Sequence, residues 1–410
     1  MSTTYRASTG DTFESIARKV YGDERRSRAI ARANPGVLEP IAPGTVLAVP
    51  PAPGAPADKT PQGPSATGNE VALLIDGTRF RFWSDLRLTR SLDNMDTLEF
   101  GAPFEADAPG FRETFRPFSY KPLGVTVGGD PLFTGTLVGI MPDLGNSQKA
   151  IGVSGYSRPG VLEDCTAPAS AYPVEFNGFD LRGIADALCE PFGVAVVFDG
   201  PVGSAFERAA VEPGGNVMAF LSDLARQRGL VVSSTPAGEL LFQQSVMPGA
   251  PVAALRQGAA PVLSVTPSFS PQQYYSHITG LEAVRVGTEG SQYTVRNPHL
   301  AGIVRPMTFS APDVEGGDIT DAVRAKAGRM FGNMAAYTVQ VATWRDPQGR
   351  LWAPNTTMTL EAPDAMVYSA YEFVLRSVQF SRTGDNESAE LDLVLPGSFS
   401  GQTPEALPWD

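Results

Sequence analysis

Reactive side chains are scarce in this sequence. It has two cysteines and two histidines among 410 residues. Cys165 and Cys189 cannot build a disulfide framework, so folding in a reducing compartment is expected. Cys189 falls in a helical apolar pattern and is expected to be a small core residue. Cys165 is flanked by Glu163 and Asp164, which disfavour a thiolate and argue against a Cys-His hydrolase. His277 sits in the strand-like run Ser276-His277-Ile278-Thr279, and His299 follows Asn297-Pro298 in a loop. Neither has a ligand partner one helical turn away. No GxSxG, HExxH, P-loop or GxGxxG pattern occurs, and Gly152-Val153-Ser154-Gly155 lacks the nucleophile-elbow spacing. Carboxylate pairs such as Asp93 with Asp96, or Glu361 with Asp364, suit solvated turns better than a glycosidase site. No catalytic residue, metal or cofactor is therefore expected.

Other absences narrow the class further. No run of about 18 apolar residues exists to span a membrane, and no membrane anchor is expected. The opening residues Met1-Ser2-Thr3-Thr4-Tyr5-Arg6 carry no apolar stretch of the secretory type. A formal net charge of −12 argues against a nucleic-acid groove, which needs clustered Lys and Arg. Arg25, Arg26 and Arg28 do cluster, beside Glu24, on a helix with a solvated basic face. What is abundant is glycine (42) and proline (36), with 42% hydrophobic residues. That suits sizeable cores built from many short strands and tight turns.

The pattern divides the chain. Residues 1–50 read as strand, helix, helix, strand: a strand around Tyr5, a helix carrying Phe13, Ile16, Ala17 and Val20, a second helix through Ile30, and a closing strand at 45–49. Asp11 with Glu14 fits a capping box. Residues 51–70 are a Pro/Gly-rich linker, which would span roughly 20–25 Å if flexible. From Val71 the period becomes two, and Asp76-Gly77 between 71–75 and 78–83 is a hairpin signal. Residues 71–165 are expected to form a first β-barrel and 166–250 a small α+β domain. In the latter, Asp180 caps a helix with Leu181, Ile184, Ala185 and Leu188 on one face. A second helix buries Val217, Phe220, Leu221, Leu224 and Ala225. Residues 251–410 are expected to form a second barrel with one inserted helix at 319–334. The expected fold class is mainly β with α+β parts, a βααβ module preceding two similar barrels. The two β regions share a strand order: 124–127, 133–138 and 150–153 correspond to 357–360, 372–377 and 389–393.

Two resemblances add to this. The elements Gly10-Asp11-Thr12, Ile16-Ala17, Tyr21-Gly22-Asp23, Ile30, Ala33-Asn34-Pro35, Pro43-Gly44 and Val49-Pro50 resemble a LysM module, and also the LysM-like tail protein X of contractile phages. By position, Gly10, Asp11, Thr12, Asn34, Pro35 and Ile41 would line its ligand or partner groove. The aromatic residue common before the Ile30 position is replaced by Ser27, Arg28 and Ala29.

The chain from 71 to 409 resembles the baseplate hub family of Mu-like phages, the tail protein D and hub group. The matching runs are 74–77 with Trp83, 88–92, 133–136, 188–194, 225–229, 237–240, Gly349-Arg350-Leu351-Trp352-Ala353-Pro354-Asn355, and Leu407-Pro408-Trp409. The resemblance implies a homotrimer joining the six-fold tail tube protein to the three-fold central spike protein. It also implies a location in the virion baseplate after assembly in the host bacterial cytoplasm. Baseplate wedge or sheath-adaptor proteins are the expected partners of the N-terminal module, with Arg25, Arg26 and Arg28 as its docking face. The alternative is a LysM-targeted peptidoglycan-binding protein or cell-wall hydrolase. A third reading is the equivalent hub of a tailocin or related injection machine.

Overall fold

A computed structural model of the chain describes residues 3–21, 24, 27–49, 69–105, 107, 109–145, 149–211, 213–246, 249–282, 291–300, 302–311, 319–399 and 406–410. Arg25, Arg26, the Gly22-Asp23 pair and linker positions 51–68 lie outside the described residues.

The N-terminal part has the expected order. Strand Thr3–Arg6 pairs antiparallel with Val46–Val49, and helices Phe13–Tyr21 and Ser27–Ala33 lie between them. Phe13, Ile16, Ala17, Ile30, Ile41 and Leu47 form its core. The helix start differs from expectation in one detail. The reciprocal cap is made by Thr12 and Ser15: the Ser15 amide donates to Thr12 Oγ1 (3.1 Å) and the Thr12 amide to Ser15 Oγ (2.9 Å). Asp11 is turned inward instead.

The expectation of two closed barrels is corrected. Among the described residues, both β regions feed one 13-stranded sheet, which is open at its ends. The first unit consists of Val71–Ile75, Asp85–Ser91, Thr97–Pro103, Pro122–Val127, Asp130–Leu144 and Lys149–Ser157, with the short strand Thr78–Phe80 at its edge. The second consists of Ala254–Arg256, Val262–Phe269, Ala335–Val341, Thr357–Ala362, Val367–Thr383 and Asn386–Val394. Ranked by position in the chain, the strands of each unit lie side by side in the order first, fourth, fifth, sixth, third, second. Both fifth strands are long and bulged against the sixth, between Leu137 and Gly139 in one and Leu375 and Ser377 in the other. The units differ at the first strand, which pairs antiparallel with the fourth in the first unit and parallel in the second.

The units are fused because Val367–Thr383 changes partner midway. Its first half pairs with Thr357–Ala362, and from Ser377 to Thr383 it pairs antiparallel with Asp85–Ser91 of the first unit. One apolar core runs through both, from Leu73, Leu88 and Phe100 to Tyr337, Phe373 and Phe380. Trp344 and Trp352 are buried in it with their indole N–H groups donating to the Ser388 and Thr343 carbonyls, both at 2.8 Å. With both N–H groups paired, each ring's burial is worth roughly 4–6 kcal/mol of transfer free energy.

Two smaller bodies are attached. Helices Leu181–Cys189 and Val217–Gln227 pack with a three-stranded sheet ordered Val196–Asp199, Leu240–Gln243, Val231–Ser234. The expected cap holds: Asp180 Oδ1 accepts from the Gly183 amide at 2.8 Å. Cys189 is fully buried as expected, and burial pushes its thiol up to about 12, with the Asp186 charge adding. Phe220 is half-buried, while Met218, absent from the expected face, is buried. The other body interrupts the second unit: strands Gln292–Arg296, His277–Glu282 and Pro306–Ala311 under helix Ile319–Gly332. Gly280 sits where a Cβ would collide with Val323, which lets the helix lie close to the strand.

Candidate functional site

The residues proposed for the N-terminal groove do come together, since the Phe13 amide at the end of the 10–12 loop donates to Glu39 Oε1 of the 34–41 loop (2.5 Å). Their side chains are, however, largely committed to the fold. Asp11 is buried and accepts from Lys19 Nζ (2.5 Å), the Ser8 amide (2.8 Å) and Tyr5 Oη (3.1 Å). The Lys19 hydrogen bond, followed by the Ser8 amide, holds its carboxyl down at about 2. Asn34 clamps the closing strand, donating to the Ile30 and Ala48 carbonyls and accepting from the Ala48 amide. Ile41 belongs to the core, and Thr12 is part of the helix cap. Gly10 (φ 87°), Pro35 and Leu38 are exposed, as is Arg28 on the second helix.

A denser polar arrangement lies where the two β units and the α+β body meet, at the loop after Asp85–Ser91. Asp96 is buried there. It accepts from Arg90 Nε and the Ser91 amide, both at 3.2 Å, and its own amide donates to Ser234 Oγ at 3.3 Å. Burial pushes its carboxyl up to about 6, against the pull of Arg90 and the Ser91 amide. Arg376, at the bulge of the long strand, pairs with Asp93 at 3.0 Å, and its carbonyl accepts from the Leu92 amide at 2.8 Å. Asn355 adopts a left-handed backbone (φ 62°), and its amide Nδ2 donates to Gln243 Oε1 and the Gln244 carbonyl, both at 2.9 Å. The Val246 amide donates back to Asn355 Oδ1 at 2.7 Å. Leu92, Val374, Val394 and Phe399 form a small apolar cluster of their own. The joint is thus cross-linked by charge, hydrogen bonds and packing at once, which fixes relative orientation better than any one alone.

A second cross-brace lies at the start of the first unit. Arg345 donates to Asn69 Oδ1, Asp130 Oδ2 and the Gly349 carbonyl, each at 2.7 Å, and Asn69 Nδ2 donates to Glu387 Oε1 at 2.8 Å. Sequence reasoning found neither brace, because their members are spread over more than two hundred positions. The sequence did carry signals at the joint: the resemblance runs 88–92 and 349–355 hold Arg90, Ser91, Leu92, Trp352 and Asn355, and the Asp93 with Asp96 pair, expected in a solvated turn, has Asp96 buried instead.

Among the described residues no group of three or more His, Cys, Asp or Glu is placed to hold a metal ion, and no helix is long and apolar enough to cross a membrane. His277 Nδ1 lies 3.0 Å from Ser276 Oγ, which itself accepts from the Arg305 amide. One turn stands out on the surface. Phe118 and Tyr120 are 85% and 57% exposed and both have positive φ (58° and 46°), a conformation costly for bulky residues.

Comparison with known proteins agrees with this architecture. Residues 159–244 match the family model for the second domain of baseplate hub protein gp44-like proteins. The chain is 23% identical over 309 residues to baseplate hub protein gp44 of Escherichia phage Mu, covering 72% of this chain and 79% of that one. The crystal structure of the prophage MuSo2 43 kDa tail protein from Shewanella oneidensis superposes with a TM-score of 0.69 at 25% identity. The match covers 80% of this chain and 99% of that protein. The tail protein from Neisseria meningitidis MC58 has the same fold, with a TM-score of 0.68 at 19% identity over 81% and 98% of the two chains. Residues 159–244 are thus similar to a gp44-like second domain, and the chain is similar to phage tail proteins, among them a baseplate hub protein.

Proposed function

We propose that this chain is the structural hub of a contractile tail baseplate, acting as a homotrimer between a six-fold tail tube protein and a three-fold central spike protein. The observation that carries the reading is the strand order used twice. Three copies of a chain with two like units present six like faces on one side while keeping three-fold symmetry elsewhere. The relationship to gp44 of phage Mu supports the same role. The hub works by geometry and not by catalysis, and it is built in the bacterial cytoplasm before joining the virion.

The N-terminal module, which resembles LysM, docks on a wedge or sheath-adaptor protein. Asp11, Asn34 and Ile41 are used internally, which leaves little of a sugar groove, while Arg28 and Leu38 are exposed for a partner. Arg25 and Arg26 extend that face in the sequence.

Light scattering on the purified chain, alone and with spike and tube proteins, tests the trimer. A mass of three chains is expected, and a single-chain mass under both conditions refutes it. Cleared peptidoglycan, abolished by one carboxylate substitution, would refute the non-catalytic role. Residues 1–50 are expected to bind chitin oligomers negligibly, and their deletion to impair tail assembly.

A further inference from the structure

The internal duplication specifies how one copy meets the next, resting on the trimeric reading above. Within the chain, the outer side of the first unit's second strand is covered by the far half of the second unit's fifth strand, with Gln379 opposite Thr89 and Phe380 opposite Leu88. The reverse contact is missing. Among the described residues, the second unit's second strand, Val262–Phe269, pairs on one side only, and so does the far half of the first unit's fifth strand, from Gly139 to Leu144. These are the equivalent edges, left open within one copy.

We propose that these two edges pair between neighbouring copies, strand 262–269 of one chain running antiparallel to 139–144 of the next, so that three joints within chains alternate with three between chains around a closed ring.

The register follows from the duplication. The fifth-strand bulges align Gly139 with Ser377, and therefore Met141 with Gln379 and Pro142 with Phe380. Crossing the sixth and third strands, Gly139 leads through Ser154 and Glu99 to Arg87, while Ser377 leads through Asp392 and Thr338 to Thr266. Arg87 thus corresponds to Thr266, Leu88 to Pro267 and Thr89 to Ser268. In the joint between copies, Met141 lies opposite Ser268, Ile140 opposite Phe269, and Pro142 opposite Pro267. Ile140 and Phe269 give an apolar cross-strand pair, and Phe269 and Met141 are 41% and 65% exposed in the single chain.

The facing prolines sharpen the inference. The Ser270 amide donates inward to the Met334 carbonyl, so alternation turns the Pro267 nitrogen outward to the open edge. Pro142 holds the place of Phe380, whose backbone faces Leu88. Both open edges thus carry a proline where a ladder N–H would otherwise sit, the standard protection against indiscriminate strand addition. The joint between copies forms with that pair of bonds missing and is weaker than the joint within the chain.

Directly opposed, non-hydrogen-bonded residues approach to about 4.5 Å between Cα atoms, close enough for a disulfide. Met141→Cys with Ser268→Cys, introduced together in the full chain, is expected under mild oxidation to give a covalent species that stops at three chains and collapses on reduction. The parent chain, with its own two cysteines, and the shifted pair Met141→Cys with Ser264→Cys are expected to give none. Mass is read by light scattering on the same samples. Three-chain mass with no in-register band, or an equal band from the shifted pair, overturns the register and leaves the trimer standing. Single-chain mass with no band overturns both. A ladder running past three chains overturns ring closure, since a head-to-tail contact that fails to close makes a filament.

Discussion

In the first β unit the second strand, Asp85–Ser91, has neighbours on both sides. In the second unit the corresponding strand, Val262–Phe269, has one among the described residues. The strand order around them is the same, so topology does not decide which edge is covered. The residues do. Leu86 and Leu88 are buried in the common core, whereas their counterparts Val265 and Pro267 are only half-buried and Pro267 removes an N–H. The fifth strands show the same contrast: Phe380 is fully buried and its counterpart Pro142 is exposed. The same strand order is thus built with one edge used within the chain and one that, among the described residues, stays unpaired.

The largest test of that contrast is at the fifth strands. Phe380→Ala removes a fully buried ring and should cost about 3–5 kcal/mol, measured as a lower denaturant midpoint. Next is the pH dependence of the joint. Asp96 has a folded-state value near 6, above the roughly 3.9 of an unfolded aspartate. Its favourable contribution is therefore fully present below about pH 4 and is lost as pH rises through about 6, on the order of 3 kcal/mol at most. Asp96→Asn should flatten the stability curve in that window. Asp11 works in the opposite sense: with a folded-state value of about 2, its contribution is present above about pH 4 and is lost as pH falls toward 2. Urea midpoints read at several pH values in wild type and each Asn variant separate the two. A smaller effect is expected for Arg376→Met, which breaks the pair with Asp93 and should cost about 1–3 kcal/mol with the fold retained by circular dichroism. Smallest is Pro142→Ala, which at the exposed counterpart of Phe380 should shift stability by no more than about 0.5 kcal/mol. If Pro142→Ala and Phe380→Ala cost the same, the correspondence between the units is wrong.

Much of the local structure was legible because local rules decide it. Asp76 and Gly77 both have positive φ (53° and 70°), as the hairpin turn between 71–75 and 78–80 requires. The Asp180 cap and its apolar face were readable for the same reason. The Asp11 cap differs from expectation because Thr12 and Ser15 offer the same chemistry one residue later, and the buried Asp11 carboxylate pairs with the exposed Lys19. The closed barrels were wrong for a different reason. Period-two strands say that a sheet exists, but the pairing of Ser377–Thr383 with Asp85–Ser91 joins segments nearly three hundred positions apart, and nothing in either segment names its partner. Strand Val262–Phe269 alternates Leu263, Val265, Pro267 and Phe269 with Ser264, Thr266 and Ser268, which marks a strand, but alternation does not say which strand lies at an edge. Of the candidate site, the N-terminal loops were locatable from spacing, but that Asp11 and Asn34 are consumed by the fold was not.

The 17-residue strand Val367–Thr383 also has a mechanical meaning. It belongs to the second unit along its whole length, and its far half also pairs with the first, with no loop between. A force drawing the units apart along this strand loads the ladder on either side in shear, many bonds together, instead of peeling them one by one. Resistance to forced opening is governed by the unfolding rate and not by equilibrium stability. A splice of this kind raises the barrier without enlarging the core. In the proposed ring the weak place under tension is then the joint that lacks such a splice, so under load that ring is expected to part between copies before any one chain tears.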